Sequence, residues 1–303
     1  MNAVVEGAML TVMKKSVLAL SVLIVLTSCA PAQEHLADQI YMKSGGAAFT
    51  LDVFKASGTN APCVIWLCSG GWFSKHEDIN PALAKAFNDK GMTVVEVVHG
   101  SQPKYTLNEI VPMIRRAVRY VHANASRFGI DPDRIGISGG SAGGHLSLLT
   151  AGLGDDGNPD AKDDVDKASS RVNAVGVFFP PTDFLNWGKA DYIPFKNPLM
   201  KIFTPAFGLK DDASDDAVKE VGRKMSPIYT VSGKFPPTLI IHGDKDPLVP
   251  LQQSQEMDEA LGKAGVSHEL IVIPGGGHDD KTVIPGLPKL VAWFAEKLGS
   301  KKS

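Results

Sequence analysis

A serine hydroxyl is a weak nucleophile until a base takes its proton, so its chemical worth depends on how the backbone presents it and what lies in reach. Ser141 stands in Gly139-Gly140-Ser141-Ala142-Gly143-Gly144, a G-x-S-x-G pentapeptide between an apolar run at 134–138 and an apolar helical pattern at 142–151. Strand, sharp turn and helix in that order raise a serine above the end of a sheet in strained backbone. Gly139 and Gly143 lack side chains and allow strand and helix to approach closely beside it. Ser141 is therefore read as a nucleophile rather than a turn residue.

Its base and acid belong at later strand ends, in the chain order Ser, Asp, His. An apolar run at 269–273 leads into Pro274-Gly275-Gly276-Gly277-His278-Asp279, and His278 is the expected base. A run at 238–242 leads into Gly243-Asp244-Lys245-Asp246-Pro247. Asp246 is preferred as the acid because it stands further past the strand end, while the competing Asp244 suits a turn held by its own side chain. An oxyanion hole needs backbone N–H donors beside the nucleophile. Ala142 offers one, and the loop Cys68-Ser69-Gly70-Gly71-Trp72-Phe73 offers Gly70 and Gly71. Trp72, Phe73, His99 and Trp187 are the candidate substrate contacts. His76 is placed near the same rim, His145 points away from the base position, His242 reads as a packing residue, and His35, His122 and His268 read as surface.

Groups so far apart in sequence meet only if the elements bring strand ends together. Continuous apolar runs at 63–68, 93–98, 134–138, 172–179, 238–242 and 269–273 imply strands buried on both faces, and the alternation at 47–54 implies a half-exposed edge strand. Helical patterns at 80–90, 107–128, 142–151, 251–264 and 287–298 intervene. Alternating strands and helices predict an α/β fold with a doubly wound, mostly parallel sheet, whose site lies at the carboxyl ends of the strands. Cys63 and Cys68, five apart on one strand, face opposite ways roughly 16 Å apart and cannot bridge.

The chain has 303 residues, 31 Lys+Arg against 33 Asp+Glu, a net charge of −2 and 44% hydrophobic residues. Charge so balanced argues against a nucleic-acid partner, and the apolar fraction against disorder. Three cysteines make no disulfide framework. Met13-Lys14-Lys15 followed by an apolar run at 16–26 reads as a signal peptide over 1–28, too short to span a bilayer, with Met13 a possible start. The run ends in Leu26-Thr27-Ser28-Cys29, similar to a bacterial lipobox, so Cys29 is the expected lipidation site. A tether over 29–39 and a single α/β domain over 40–303 follow. Export to a bacterial membrane, outer membrane or cell surface, through the lipid anchor alone is the expected location.

Two insertions remain. The segment 154–170 holds Asp155, Asp156, Asp160, Asp163, Asp164 and Asp166 without the order of a calcium loop, and reads as a solvated surface loop with no metal. The segment 183–227 reads as a small lid over Ser141, its Trp187, Tyr192, Phe195, Phe203 and Phe207 either lining an acyl or aryl pocket or burying the lid. No cofactor is implied.

Asp131-Pro132-Asp133-Arg134-Ile135-Gly136 leading into the Ser141 turn, with the Asp246 and His278 loops, resembles the bacterial α/β-hydrolase serine esterases related to hormone-sensitive lipase and to acetylxylan and feruloyl esterases. The resemblance implies a carboxylic ester hydrolase acting through an acyl-enzyme on acetyl or feruloyl esters of polysaccharides or on other small esters. It departs where relatives carry His-Gly-Gly-Gly-Trp and this chain has Cys68-Ser69-Gly70-Gly71-Trp72, and where relatives carry Tyr-Arg and this chain has His99-Gly100. Two other readings stand beside it: a peptidase of the prolyl-oligopeptidase kind, which typically carries a large N-terminal propeller, and a non-catalytic binder, which would be expected to have lost a triad member.

Overall fold

Strands that are apolar on both faces require helices on both sides of the sheet. In the computed structural model, which describes residues 34–196 and 198–299, the strands are β1 (His35–Ser44), β2 (Ala47–Phe54), β3 (Ala61–Leu67), β4 (Thr93–Val97), β5 (Ile130–Gly140), β6 (Ala174–Phe178), β7 (Thr238–Gly243) and β8 (His268–Ile273). They form one sheet in the order β1-β2-β4-β3-β5-β6-β7-β8. β1 and β2 join antiparallel, and every pairing from β4 to β8 is parallel. Every residue of β4, β6 and β7 is buried. This is the doubly wound α/β-hydrolase sheet that the motifs imply.

The helices are α1 (Pro81–Asn88), α2 (Leu107–Ala123), α3 (Ala125–Phe128), α4 (Ala142–Gly152), α5 (Asp164–Lys167), α6 (Asp215–Lys224), α7 (Leu251–Lys263) and α8 (Asp280–Lys297). The core residues of α2, α4 and α7 pack in one cluster and those of α1 and α8 in another. A capping box between Thr106 and Glu109 starts α2. The single helix expected over 107–128 is interrupted at Asn124, and α3 then ends on Gly129 in the left-handed conformation, φ 68°. α8 begins seven residues earlier than its apolar pattern, where the Asp279 side chain caps the Lys281 N–H.

Three expectations are corrected. The strand Ala47–Phe54 is no edge: β2 is bonded on both sides, and Leu51, Val53 and Phe54 are all at most 2% exposed. The edge is β1, which begins at His35 inside the range read as a tether. β8, read as doubly buried, is the opposite edge, with only Ile273 fully buried. The Asp-rich segment is not simply solvated. Asp155 binds Arg115 and Arg119, while Asp163 and Asp166 bind Arg116 at 2.5 and 2.6 Å, docking the segment on α2.

Cys63 and Cys68 are both free and buried, and burial pushes both thiols far above their usual range. The signal peptide, Cys29 and the first part of the tether lie outside the described residues. Among the described residues, no helix is long and apolar enough to cross a membrane.

Candidate active site

The turn after β5 holds Ser141 at φ 53° and ψ −119°, a conformation that a side-chain-bearing residue adopts only under constraint. Two glycines permit it: a Cβ on Gly139 would lie 2.6 Å from the Gly143 carbonyl carbon, and one on Gly143 would lie 2.8 Å from the Leu67 carbonyl oxygen. The Ser141 N–H donates to the Phe178 carbonyl at 2.9 Å, anchoring the turn to β6. Its side chain caps nothing in α4 and so is free to point elsewhere.

It points to His278. Ser141 Oγ lies 2.8 Å from His278 Nε2, and His278 Nδ1 lies 2.7 Å from Asp246 Oδ2. An ionised Asp246 can only accept, so Nδ1 carries the proton and Nε2 is left as the acceptor of the serine hydroxyl. The Asp246 side chain is fully buried. Burial alone would push its carboxyl up, but hydrogen bonds from His242 and His278 and from the Val249 N–H outweigh it and hold the group well below the usual carboxylate range. Oδ1 accepts from the N–H groups of Leu248 at 2.8 Å and Val249 at 2.9 Å.

Asp244 is exposed and accepts the Gly275 N–H at 2.7 Å, joining the loop after β7 to the loop after β8. It does not reach His278 with a hydrogen bond. His242, read as packing, holds Asp246: its Nε2 is 3.3 Å from Oδ2 and 3.0 Å from the Val249 carbonyl, and its Nδ1 accepts from Ser254 Oγ at 2.6 Å. The signal lay in the spacing, because His242 and Asp246 flank one tight loop at i and i+4.

The glycine loop after β3 makes a reciprocal pair of backbone hydrogen bonds, Gly70 N–H to the Phe73 carbonyl at 3.0 Å and Phe73 N–H back at 2.9 Å. Gly71 and Trp72 between them have φ 56° and 63°, the two positive values of a type I′ turn. The reading of Gly70 as an oxyanion donor is corrected, since its N–H is occupied by Phe73. The Gly71 and Ala142 N–H groups have no protein acceptor among the described residues, and both residues line the cavity above Ser141. Gln102 fixes the turn from behind, its side-chain amide donating to the Gly71 carbonyl at 2.8 Å and its N–H to the Trp72 carbonyl at 3.2 Å.

The cavity measures about 740 Å³. Trp72, Phe73 and Trp187 line it, as expected. His99 does not: it is 2% exposed, its Nδ1 bonded to the Gly100 carbonyl at 2.8 Å, and burial pushes its imidazole down to about 4. His76 follows the lining residue Lys75 but turns its own ring to Asp38, 3.4 Å away. His145 faces away from the site, with Nδ1 accepting from the Trp72 indole at 3.1 Å and Nε2 bonded to the Met225 carbonyl at 2.6 Å. Of the aromatics in 183–227, Trp187 and Phe203 line the cavity, whereas Phe195 and Phe207 pack with Phe184 behind it. Trp66, Phe179, Met200 and Leu248 also line it and were missed. Phe179 carried a signal: it stands just past the C-terminal end of β6, with its ring centroid 4.3 Å from that of His278.

A serine, histidine and buried carboxylate in line, beside two N–H groups that have no acceptor among the described residues, can support nucleophilic attack on a carbonyl. Comparison with known proteins bears on the fold that carries this geometry. The esterase LipQ of Mycobacterium tuberculosis is 29% identical over 229 residues, covering 74% of this chain and 52% of LipQ. The chain spans about half the length of the curated relatives it matches. Among solved structures, the acetyl ester-xyloside bifunctional hydrolase of Caldicellulosiruptor lactoaceticus superposes with a TM-score of 0.73 at 24% identity, over 86% of this chain and 96% of that one. A thermophilic esterase of Thermogutta terrifontis with bound butyrate gives 0.68 at 24% identity, over 90% and 97%. Both share the α/β-hydrolase fold. The BD-FAE family model matches residues 51–261, from β2 through the Ser141 turn and Asp246 into α7, and with well over half of the chain matched this protein belongs to the BD-FAE family.

Proposed function

We propose that the protein is a serine carboxylesterase in which Ser141 is the nucleophile, His278 the general base and Asp246 the acid. The observation that carries this reading is the line Ser141 Oγ, His278 Nε2, Nδ1, Asp246 Oδ2, with links of 2.8 and 2.7 Å, beside a cavity that two unpaired N–H groups share. Attack of Ser141 Oγ on an ester carbonyl passes the hydroxyl proton to His278 Nε2, and the ionised Asp246 stabilises the resulting imidazolium. The N–H groups of Gly71 and Ala142 receive the oxyanion, each such donor contributing roughly 3–4 kcal/mol to the barrier reduction. His278 then returns the proton to the departing alcohol, and water, deprotonated by the same imidazole, releases the acid. The membership of the BD-FAE family and the esterase among its curated relatives support the reading.

The substrates are acetyl or feruloyl esters of polysaccharides, or other small esters. A cavity of about 740 Å³ with Trp66, Trp72, Trp187 and Phe203 in its walls suits a short acyl or aryl group and leaves its mouth for the alcohol portion. The chain acts as one hydrolase domain with residues 183–227 as its cover, and the charged and apolar pattern at 13–29 supports export and lipidation at Cys29.

A fluorophosphonate should label Ser141, and p-nitrophenyl acetate and butyrate should be hydrolysed. Absence of label at that residue ends the esterase reading. Acetylxylan, methyl ferulate and long-chain esters compared side by side select the substrate, and detergent partition of the exported chain against Cys29→Ser tests the anchor.

A further inference from the structure

Away from the cavity's catalytic side, the sheet carries two carboxylates that the esterase reading leaves unused. Asp52 on β2 is 1% exposed and stands directly opposite Glu96 on β4, itself fully buried. Directly opposed residues share one face of a sheet, and like charges there repel. Neither forms an ion pair with a Lys or Arg among the described residues. Glu96 Oε2 accepts the Asn80 N–H at 2.7 Å and the Cys68 thiol at 3.6 Å, but Oε1 is buried without a partner. A polar atom so placed is costly unless something meets it.

Imidazoles gather beside Asp52. His35 Nε2 lies 2.6 Å from Asp52 Oδ2, and His76 Nε2 lies 3.4 Å from Asp38 Oδ1. The Asp38 N–H donates to Asp52 Oδ1 at 2.9 Å, which ties Asp38 to the same carboxylate. One ligand atom each from Asp38, Asp52 and His76 lie within 4.8 Å of one another. In a tetrahedral zinc site with bonds of about 2.0–2.1 Å, neighbouring ligand atoms stand roughly 3.4 Å apart, so the His76–Asp38 edge already has the required length. The donor set of imidazole nitrogen and carboxylate oxygen suits zinc better than calcium or magnesium, which take oxygen alone.

We propose that Asp38, Asp52 and His76 bind a zinc ion, with water completing the tetrahedron and the His35 ring, hydrogen-bonded to Asp52 at 2.6 Å, holding that carboxylate in place. The ion offsets the buried negative charge of Asp52. It also cross-links the edge strand β1 to β2 and to the short helical turn His76–Asp78, whose Asp78, with the preceding Lys75, lines the cavity. The site is structural and does not depend on the esterase reading.

Full chain stripped with EDTA should bind one zinc per molecule in calorimetry, with a Kd of about 1 μM or tighter, and its unfolding midpoint should rise on binding. His76→Ala and Asp38→Asn alter exposed side chains, so both should fold as the parent does by circular dichroism, and each should weaken zinc at least about tenfold. Absence of saturable binding below about 1 mM, an affinity unchanged in both variants, or calcium binding as tightly as zinc overturns the proposal.

Discussion

The indole Nε1 of Trp72 donates to Nδ1 of His145 at 3.1 Å, and both side chains are buried. Because His145 Nε2 also meets the Met225 carbonyl at 2.6 Å, one neutral imidazole ties the glycine turn after β3 to the helix that opens at Ser141 and to the end of residues 183–227. Trp72 sits at φ 63°, which costs a bulky residue of order 1–3 kcal/mol. Its burial and this hydrogen bond hold it there. Trp72, His145 and Gln102 together fix this turn.

Trp72→Phe keeps a ring in place but leaves His145 Nδ1 buried without its donor. The loss should be about 1–3 kcal/mol, read as a drop of several degrees in the unfolding midpoint. An unchanged midpoint would mean that the bond contributes nothing to the fold.

Acid should destabilise the protein through the same ring. Burial pushes the imidazoles of His145 and His99 from 6.5 down to about 4, against hydrogen bonds to the Met225 and Gly100 carbonyls that pull the other way. A depressed value means that the stability each neutral ring contributes is present above about pH 6.5 and is lost as the pH falls towards 4, where the unfolded chain takes up protons that the folded one refuses. Each ring withdraws roughly 3 kcal/mol over that window. Unfolding midpoints recorded from pH 7 to pH 4.5 should fall, and the slope should be shallower for His145→Gln; an equal slope assigns the acid sensitivity to other groups.

Asp246→Asn should reduce kcat by several thousandfold, because the amide leaves the His278 Nδ1 proton without its carboxylate, a loss of about 10⁴ for the equivalent change in the serine protease triad. Asp244→Asn changes only the contact to Gly275 and should cost under about tenfold in kcat. Steady-state kinetics on p-nitrophenyl acetate compares the two, and a reversed order would move the acid to Asp244.

Gly71→Ala tests the oxyanion turn. A Cβ there would lie 2.6 Å from Phe203 Cε1, at φ 56° where an L-residue is strained. Displacing this N–H should lower kcat by about 10²–10³ with little change in KM. Phe203→Ala in the same chain removes the clash and should restore part of the rate; an undiminished kcat in Gly71→Ala alone would show that the N–H is not needed.

Asp155→Asn should destabilise the docking of 154–170 on α2, since this carboxylate serves both Arg115 and Arg119. The pairs are partly exposed, so the effect should be about 1 kcal/mol and should shrink in high salt. Denaturant titration at low and high ionic strength gives both values, and a salt-independent difference would argue for a packing effect instead.

The local order of residues carried a great deal of this. Gly139-Gly140-Ser141-Ala142-Gly143 needs only its own backbone and the adjoining strand and helix to raise a serine, and the short loops at Asp246 and His278 each follow an apolar run, so the three groups and the carboxyl-end placement could be read directly. Charge, cysteine count and the signal-like pattern at 13–29 are likewise properties of residue types in sequence. What depended on neighbours in space could not be read in this way. Ala47–Phe54 alternates like an edge strand, yet β1 covers it, because whether a strand has a partner is decided by another segment's position. Gly70 and Gly71 are adjacent and alike, and only the bond from Gly70 N–H to Phe73 separates donor from turn residue. Six aspartates resemble a solvated loop until the three arginines of α2, some forty residues earlier, stand against Asp155, Asp163 and Asp166. Local conformation follows from nearby residues, whereas edges, unpaired N–H groups and counterions are set by contacts between segments distant in the chain.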